Sequence, residues 1–458
     1  MTAGAPTTPR ATPATAEETA TVAGLTHEGE GVVRGGKTVF VPGALPGERI
    51  RFRRARRHRQ HDDGELLEVL EPSPERAMPG CPHFGVCGGC ALQHLEPSAQ
   101  LLAKERELKE TLTRVARAEP ARWLPPLAGP AWGYRRRARL GAKYVHRKAR
   151  VVVGFRERAA PYVADLASCR VLAAPADTLI APLAGLLTGL TIRERVPQIE
   201  LAVGDDATAL VLRVLEAPAA QDLAQLREFA ARHRVRLLLQ SGGLESIAEL
   251  TADADGGAAA SAAAGVAPLH YGLERFGLTL EFAPTDFIQV NGPVNQALVA
   301  RALELLAPGP GSRVLDLYCG IGNFTLALAR FAASAVGVEG ESALIRRARA
   351  NAVRNGVGNV EFHVADLAAA PDPGAAWLRE PCSHVLIDPP RTGARAVLGA
   401  VAQLAPERIL YVSCHPGSLA RDLEALVHEH RFRLEAAGVV DMFPHTSHVE
   451  SLALLERT

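Results

Sequence analysis

Val314-Leu315-Asp316-Leu317-Tyr318-Cys319-Gly320-Ile321-Gly322-Asn323 is a short apolar run that breaks into a glycine turn, and Phe324 to Phe331 then reads as a helix. Glycine has no Cβ, so its backbone lets N–H groups come close to a ligand at a helix N-terminus. The same rhythm continues downstream. Ala335-Val336-Gly337-Val338-Glu339 is a second strand ending in an acid. Val360 to Val364 is a third, followed by Asp366, and Val385-Leu386-Ile387-Asp388 is a fourth. Strand, loop and helix alternate from Ala307 to the C-terminus, which predicts a doubly wound parallel α/β sheet. Ligands of such sheets sit outside the carboxyl ends of the strands, and Glu339 stands where an acid holds a ribose by its two hydroxyls. Asp366 is placed to meet an adenine. The Gly-x-Gly-x-x-Gly turn of nicotinamide-binding folds is absent, so S-adenosylmethionine is the expected cofactor.

The strand Ile409-Leu410-Tyr411-Val412 runs into Ser413-Cys414-His415-Pro416-Gly417. An isolated cysteine is ordinarily an inert, buried one, but this one sits in a polar loop at a strand mouth. Glu450 follows the polar run Thr446-Ser447-His448 and precedes the apolar strand Leu452 to Leu455, which again puts a carboxylate at a strand mouth. A thiol nucleophile and a base beside a methyl-donor fold suit an acceptor carbon that is not itself nucleophilic, such as C5 of a pyrimidine. Asp388-Pro389-Pro390 is followed by Arg391 rather than by an aromatic residue that would stack a base. This argues against amino-group methylation and leaves Asp388 to bond a pyrimidine edge.

With 458 residues, the chain is long enough for two to four domains. Its formal charge is only +1, yet arginine is clustered. Arg51, Arg53, Arg54, Arg56, Arg57 and Arg59 form one group. Arg135, Arg136, Arg137, Arg139, Lys143, Arg147, Lys148 and Arg150 form another with no acid inside it. Such clusters are the footprint of a polyanion, although a single one is usually a solvated face. The cysteines number seven, an odd count that, without a signal peptide, points to a reducing cytosol. Residues 1–17 read as a disordered tail, and Ala252 to Pro268 as a flexible insertion. The apolar stretch from Val171 to Leu190 holds Asp177 and prolines, so it reads as short buried helices rather than a membrane span. Cys81, Cys87 and Cys90 crowd one loop, and such a loop suits either a structural zinc or an iron–sulfur cluster.

Residues 18–72 resemble a TRAM domain, a small RNA-binding β-barrel of OB-like kind. Gly29-Glu30-Gly31-Val32 and Val41-Pro42-Gly43-Ala44-Leu45-Pro46-Gly47-Glu48 carry the likeness, with the first arginine group. Over nearly its whole length the chain is similar to the RumA-type family of RNA (uracil-5-)-methyltransferases, most of all to the branch acting on 23S rRNA. The resemblance rests on Cys81-x5-Cys87-Gly-Gly-Cys90-x2-Gln93-His94, Tyr134 to Arg139, Asp286-Phe287-Ile288-Gln289-Val290-Asn291, the glycine loop, Asp388-Pro-Pro-Arg391, Ser413-Cys414-His415-Pro416 and Asp441-Met442-Phe443-Pro444-His445. His415 stands where many members have asparagine.

The resemblance implies an RNA-binding barrel over 18–72, a mixed α/β middle domain over 73–280 with an iron–sulfur cluster, and a Rossmann-like methyltransferase domain over 281–458. It implies Cys414 as nucleophile and Glu450 as the proton-abstracting base. Gln289, Tyr318, Asn323, Glu339, Asp366 and Asp388 are implied at the cofactor and substrate site, and Cys81, Cys87, Cys90 and Cys169 as ligands of a four-iron, four-sulfur cluster. A cytoplasmic monomer acting on RNA is expected, with no membrane. A tRNA substrate, or an RNA-binding factor that has lost catalysis, is the alternative.

Overall fold

The structure, a computed structural model, describes residues 16–251 and 266–458. The expectations for the N-terminal tail and the Ala/Gly/Asp-rich insertion therefore fall largely outside the described residues.

The N-terminal unit is a closed barrel of β1 (Glu17–Leu25), β2 (Glu30–Val33), β3 (Thr38–Pro42), β4 (Arg49–Arg57) and β5 (His61–Glu71), in the order β1-β2-β3-β5-β4. Strand alternation decides what faces where. In β4, Ile50 and Phe52 point into the barrel core with Val22, Val39 and Val41, while Arg49 and Arg51 point out. Helix α1 (Pro97–Thr111) follows, then the two-residue strand β6 (Arg122–Trp123).

The middle sheet is built from β7 (Arg137–Val145), β8 (Arg150–Gly154), β9 (Gln198–Val203), β10 (Thr208–Arg213), β11 (Arg236–Gln240) and β12 (Ile247–Glu249), in the order β12-β11-β10-β9-β7-β8. Two helices, α2 (Ile180–Gly189) and α3 (Ala220–His233), belong to the same region and contribute to its apolar core. A hairpin, β13 (Leu269–Leu273) with β14 (Leu278–Phe282), leads into α4 (Gly292–Leu306). Asn291 caps α4 by accepting a bond from the Val294 amide at 3.3 Å.

The C-terminal unit alternates as its sequence predicts over its first part, but its last two strands follow one another without a helix and pair antiparallel, which corrects the expectation of a parallel sheet as far as the C-terminus. Its elements are β15 (Arg313–Leu317), α5 (Thr325–Ala329), β16 (Ser334–Glu339), α6 (Ser342–Arg354), β17 (Val360–Val364), β18 (His384–Ile387), α7 (Arg395–Gln403), β19 (Arg408–Ser413), α8 (Pro416–Glu424), β20 (Phe432–Val440) and β21 (Glu450–Arg457). The sheet order is β17-β16-β15-β18-β19-β21-β20-β6. The first five strands are parallel; β21 enters antiparallel between β19 and β20. Apolar residues cover both faces, as a buried parallel sheet requires. β6 pairs with β20 at the far edge. α1 braces the segment between β20 and β21 through buried Lys104, which donates to Asp441 Oδ1 at 2.7 Å and to the Phe443 carbonyl at 3.0 Å.

Candidate active site

Strand order reverses between β15 and β18, so a crevice opens beyond their carboxyl ends. Tyr318 follows β15, Glu339 ends β16, Asp366 lies just past β17, Asp388 follows β18 and Cys414 follows β19. β21 runs the other way, so its first residue, Glu450, comes to the same edge. Ser413 is paired with Ser451, and the next residue outward on each strand is Cys414 on one and Glu450 on the other. A thiol and a carboxylate distant in sequence thus occupy neighbouring strands at one sheet edge.

The turn after β15 is tight. Tyr318 adopts φ 64°, in the left-handed region that costs a non-glycine residue about 1 kcal/mol; its amide is held by the Val338 carbonyl at 2.8 Å. Gly320 and Gly322 also have positive φ. Beneath the turn, a Cβ on Gly337 would come within 2.6 Å of the Phe362 ring and 2.9 Å of Cys319 Sγ, so β16 packs closely only with glycine there. The Glu339 carboxylate accepts the Gly320 amide at 3.2 Å and those of Gly340 and Glu341 at 2.6 and 3.1 Å. Tyr318 donates its hydroxyl to the Leu367 carbonyl at 3.0 Å, which ties it to the exposed loop of Asp366. Gln289 reaches across from the segment before α4 and donates to Asp388 Oδ2 at 3.3 Å. The Asn323 amide turns inward and is engaged by Asn295 and the Tyr271 hydroxyl.

Acids dominate this edge. Burial pushes Asp316 up to about 7, and the charges of Asp388 and Glu339 add to it; the Thr325 hydroxyl, donating at 2.5 Å, opposes. One Asp316 oxygen is buried without a partner. Desolvation raises Asp388 to about 7 against the Gln289 bond. Such a site suits a cationic sulfonium and amine and repels the pyrophosphate of a dinucleotide. The donor set therefore fits S-adenosylmethionine. Asp316 was not among the residues singled out from sequence, although an acid inside an apolar strand is the signal that could have found it.

On the reactive side, burial raises the Cys414 thiol to about 11. Glu450 and Asp388 push it further up, and Arg391 pulls it down. Glu450 is 4% exposed, and burial, with the charge of Asp388, raises it to about 8. His415 caps α8 by accepting the Ser418 amide on Nδ1 at 3.1 Å, the role that an asparagine side chain also performs.

The raised Glu450 carboxyl has a consequence for stability. Below its ordinary value of 4.5 it is protonated in folded and unfolded chains alike. Between there and about 8 the unfolded chain releases a proton that the folded chain keeps, so stability falls as pH rises. Glu450→Gln removes this slope. The melting temperature of the variant is expected to gain on the parent between about pH 5 and about pH 8, with a free-energy effect on the order of a few kcal/mol. Thermal denaturation across that range checks this, and a constant gap contradicts it.

Cys81, Cys87, Cys90 and Cys169 line one cavity of about 200 Å³, together with Trp132, Phe155 and His448. Burial raises Cys90 to about 12, with Cys169, Cys87 and Cys81 adding in that order. The loop is seated on the middle sheet through Gly88 N–H to the Arg156 carbonyl and Arg158 N–H to the Val86 carbonyl, both at 2.9 Å.

The arginine clusters look different once folded. On the barrel, Arg49, Arg51 and Arg53 pair with Glu71, Glu68 and Glu65 of β5, and Arg54 pairs with Glu18 and Asp62. In the middle sheet, Arg136 pairs with Asp205, Arg137 and Arg139 with Glu200, and Lys148 and Arg150 with Asp165. Sequence clustering overstated the field because the compensating acids come from neighbouring strands and loops. Arg56, Arg57, Arg59, Lys143 and Arg147 have no carboxylate partner among the described residues. The exposed pairs are weak enough to exchange for phosphate.

The C-terminal residues 374–458 match the family model described as tRNA (Uracil-5-)-methyltransferase, and residues 308–374 match a general methyltransferase domain. A protein of Alkalilimnicola ehrlichii named 23S rRNA (uracil(1939)-C(5))-methyltransferase RlmD is 50% identical over 95% of this chain and 96% of its own length. One of the same name from Thiobacillus denitrificans is 48% identical over 94% of this chain and 98% of its own. The solved Pyrococcus abyssi tRNA (uracil-54, C5)-methyltransferase with S-adenosyl-L-homocysteine superimposes with a TM-score of 0.71 at 23% identity, over 96% of this chain and all of that one, and so shares the fold. With full-length relatives at such identity and a methyltransferase sheet beneath the site, the chain belongs to the RNA (uracil-5-)-methyltransferase family.

Proposed function

We propose that this chain methylates C5 of a uridine in 23S rRNA, with Cys414 as nucleophile and Glu450 as base. The observation that carries the reading is the placement of these two side chains on adjacent antiparallel strands, at the edge that also bears the glycine loop and the Gln289–Asp388 pair. Cys414 gives up its thiol proton to solvent, the thiolate Sγ adds to C6 of the uracil, and the C5=C6 electron pair moves into the ring as an enolate. S-adenosylmethionine, a substrate of the reaction, supplies an electrophilic methyl group; C5 takes it as the methyl–sulfur bond breaks and the thioether S-adenosylhomocysteine leaves. Glu450 then removes the C5 proton, the double bond re-forms and the C6–S bond breaks. In the free protein the thiol is held protonated by burial and by two neighbouring acids; Arg391 and a cationic co-substrate both oppose those charges. Glu339, Asp366, Tyr318 and Asn323 are assigned to the co-substrate side, and Gln289 and Asp388 to the pyrimidine edge.

The four cysteines are assigned to a four-iron, four-sulfur cluster. A tetrahedral zinc with bonds of about 2.3 Å draws its thiolates to roughly 3.8 Å of one another. Among the described residues no three cysteine sulfurs lie mutually within 4.8 Å, which favours the larger group. When bound it would supply a structural cross-link, with Cys81, Cys87 and Cys90 of the loop and Cys169 as the residues that would hold it. Among the described residues, no helix is long and apolar enough to cross a membrane. The barrel and the basic residues left unpaired are assigned to the RNA backbone, and the target uridine is flipped out to reach the crevice.

Mapping 5-methyluridine in RNA from cells with and without the gene tests the substrate. Loss of a single methylated position in 23S rRNA is expected; loss from tRNA alone selects the tRNA reading, and no loss overturns both. Anaerobically purified protein is expected to carry iron and a broad visible absorption, whereas stoichiometric zinc without iron overturns the cluster.

A further inference from the structure

The segment between β20 and β21, residues 441–449, delivers Glu450 to the sheet edge, and His445 is its most constrained residue. It has φ 66° without being glycine and is 4% exposed. Its carbonyl accepts two backbone amides, Ala91 and Leu92, both at 2.9 Å. These are the residues that directly follow Cys90. Its own amide donates to Gln100 Oε1 at 2.9 Å, and its Nδ1 lies 3.3 Å from Gln100 Nε2. Its ring packs on Trp132 with centroids 4.0 Å apart. The Arg170 guanidinium also lies over Trp132, at 4.6 Å, and donates to the carbonyl of Gly80 at 2.6 Å. Gly80 precedes Cys81, and Arg170 follows Cys169. His448, two residues before Glu450, lines the cysteine cavity itself.

Neither the methyl-transfer steps nor the cysteine set uses His445. A left-handed backbone at a non-glycine residue is strained and persists only where its surroundings over-determine it. Here they do so from both ends of the cysteine site. We propose that His445 is a positioning residue that ties Glu450 to the cysteine loop, so that disturbing the tie stalls turnover at proton removal and not at thiol addition. The proposal rests on the reading of Glu450 as base. It follows that the cysteine site is coupled to release of product, because the loop holding Cys90 and the segment leading to Glu450 are joined through this residue.

His445→Gly tests it, since glycine keeps the positive φ and removes the ring. Single-turnover addition to RNA is expected within about twofold of the parent, and decay of the methylated covalent complex is expected to slow about tenfold, with iron content unchanged. His445→Asn, which tolerates the left-handed region and restores a polar partner for Gln100, is expected to recover most of the decay rate. Arg170→Met, at an exposed position, is expected to slow decay by a smaller factor and serves if His445→Gly does not fold. Parallel loss of addition and decay, or no change in decay, overturns the proposal. If Glu450→Gln itself fails to accumulate the complex, it is the assignment of the base that falls, whatever His445→Gly does.

Discussion

Cys414→Ala is expected to abolish methyl transfer, by about 10⁴-fold or more, while RNA affinity stays within about twofold. The size follows from the acceptor. Uracil C5 becomes nucleophilic enough to attack a sulfonium methyl only after C6 has been saturated by a nucleophile. Cys319, in the glycine loop, is no substitute: it is 4% exposed, packed within the glycine turn and pushed well above its ordinary value by burial. The loop of Cys414 is fixed by the His415 cap and by Ser413, so alanine leaves its course intact. Filter binding and a methyl-transfer assay on the same preparation check both halves. Activity within tenfold of the parent contradicts the mechanism.

Glu450→Gln is expected to separate the two halves of the reaction. Glutamine has the same shape and no basic oxygen, so C5 proton removal slows by about 10²–10⁴-fold. Glutamine also places no negative charge beside the Cys414 thiol at any pH. Addition is therefore expected to proceed at least as fast as in the parent near neutral pH. A methylated covalent RNA complex accumulates on denaturing gels. A variant that never forms the complex gives Glu450 a role in the addition step instead.

Much of the C-terminal sheet was legible because its determinants are local. The apolar run from Val314 to Leu317, the two glycines behind it and the acid ending the next strand each announce themselves within a few residues. The cysteine loop was legible for the same reason, through its spacing. The position of Glu450 was not, because it depends on β21 entering antiparallel between β19 and β20, a long-range pairing that no local pattern encodes. The strand mouth could be read; the neighbour across it could not. The arginine groups show the opposite failure. Their clustering is real along the chain, yet Glu65, Glu68 and Glu200 approach them across strands and cancel much of the field. Lys104 and Asp441 lie far apart in sequence and meet as a buried pair; nothing near either residue signals the other. Such a pair adds little net stability but fixes a register, here that of α1 against the segment leading to Glu450.

The most direct measurement uses RNA carrying 5-fluorouridine at the target position. Fluorine at C5 cannot leave as the proton does, so a complex that has added a thiolate and accepted the methyl group is trapped. Proteolysis and mass spectrometry of that complex are predicted to find the modified nucleotide, one methyl group heavier, on the peptide containing Cys414. A trapped nucleotide on any other residue, or methylation of normal RNA with no trapped complex from the fluorinated one, contradicts the account.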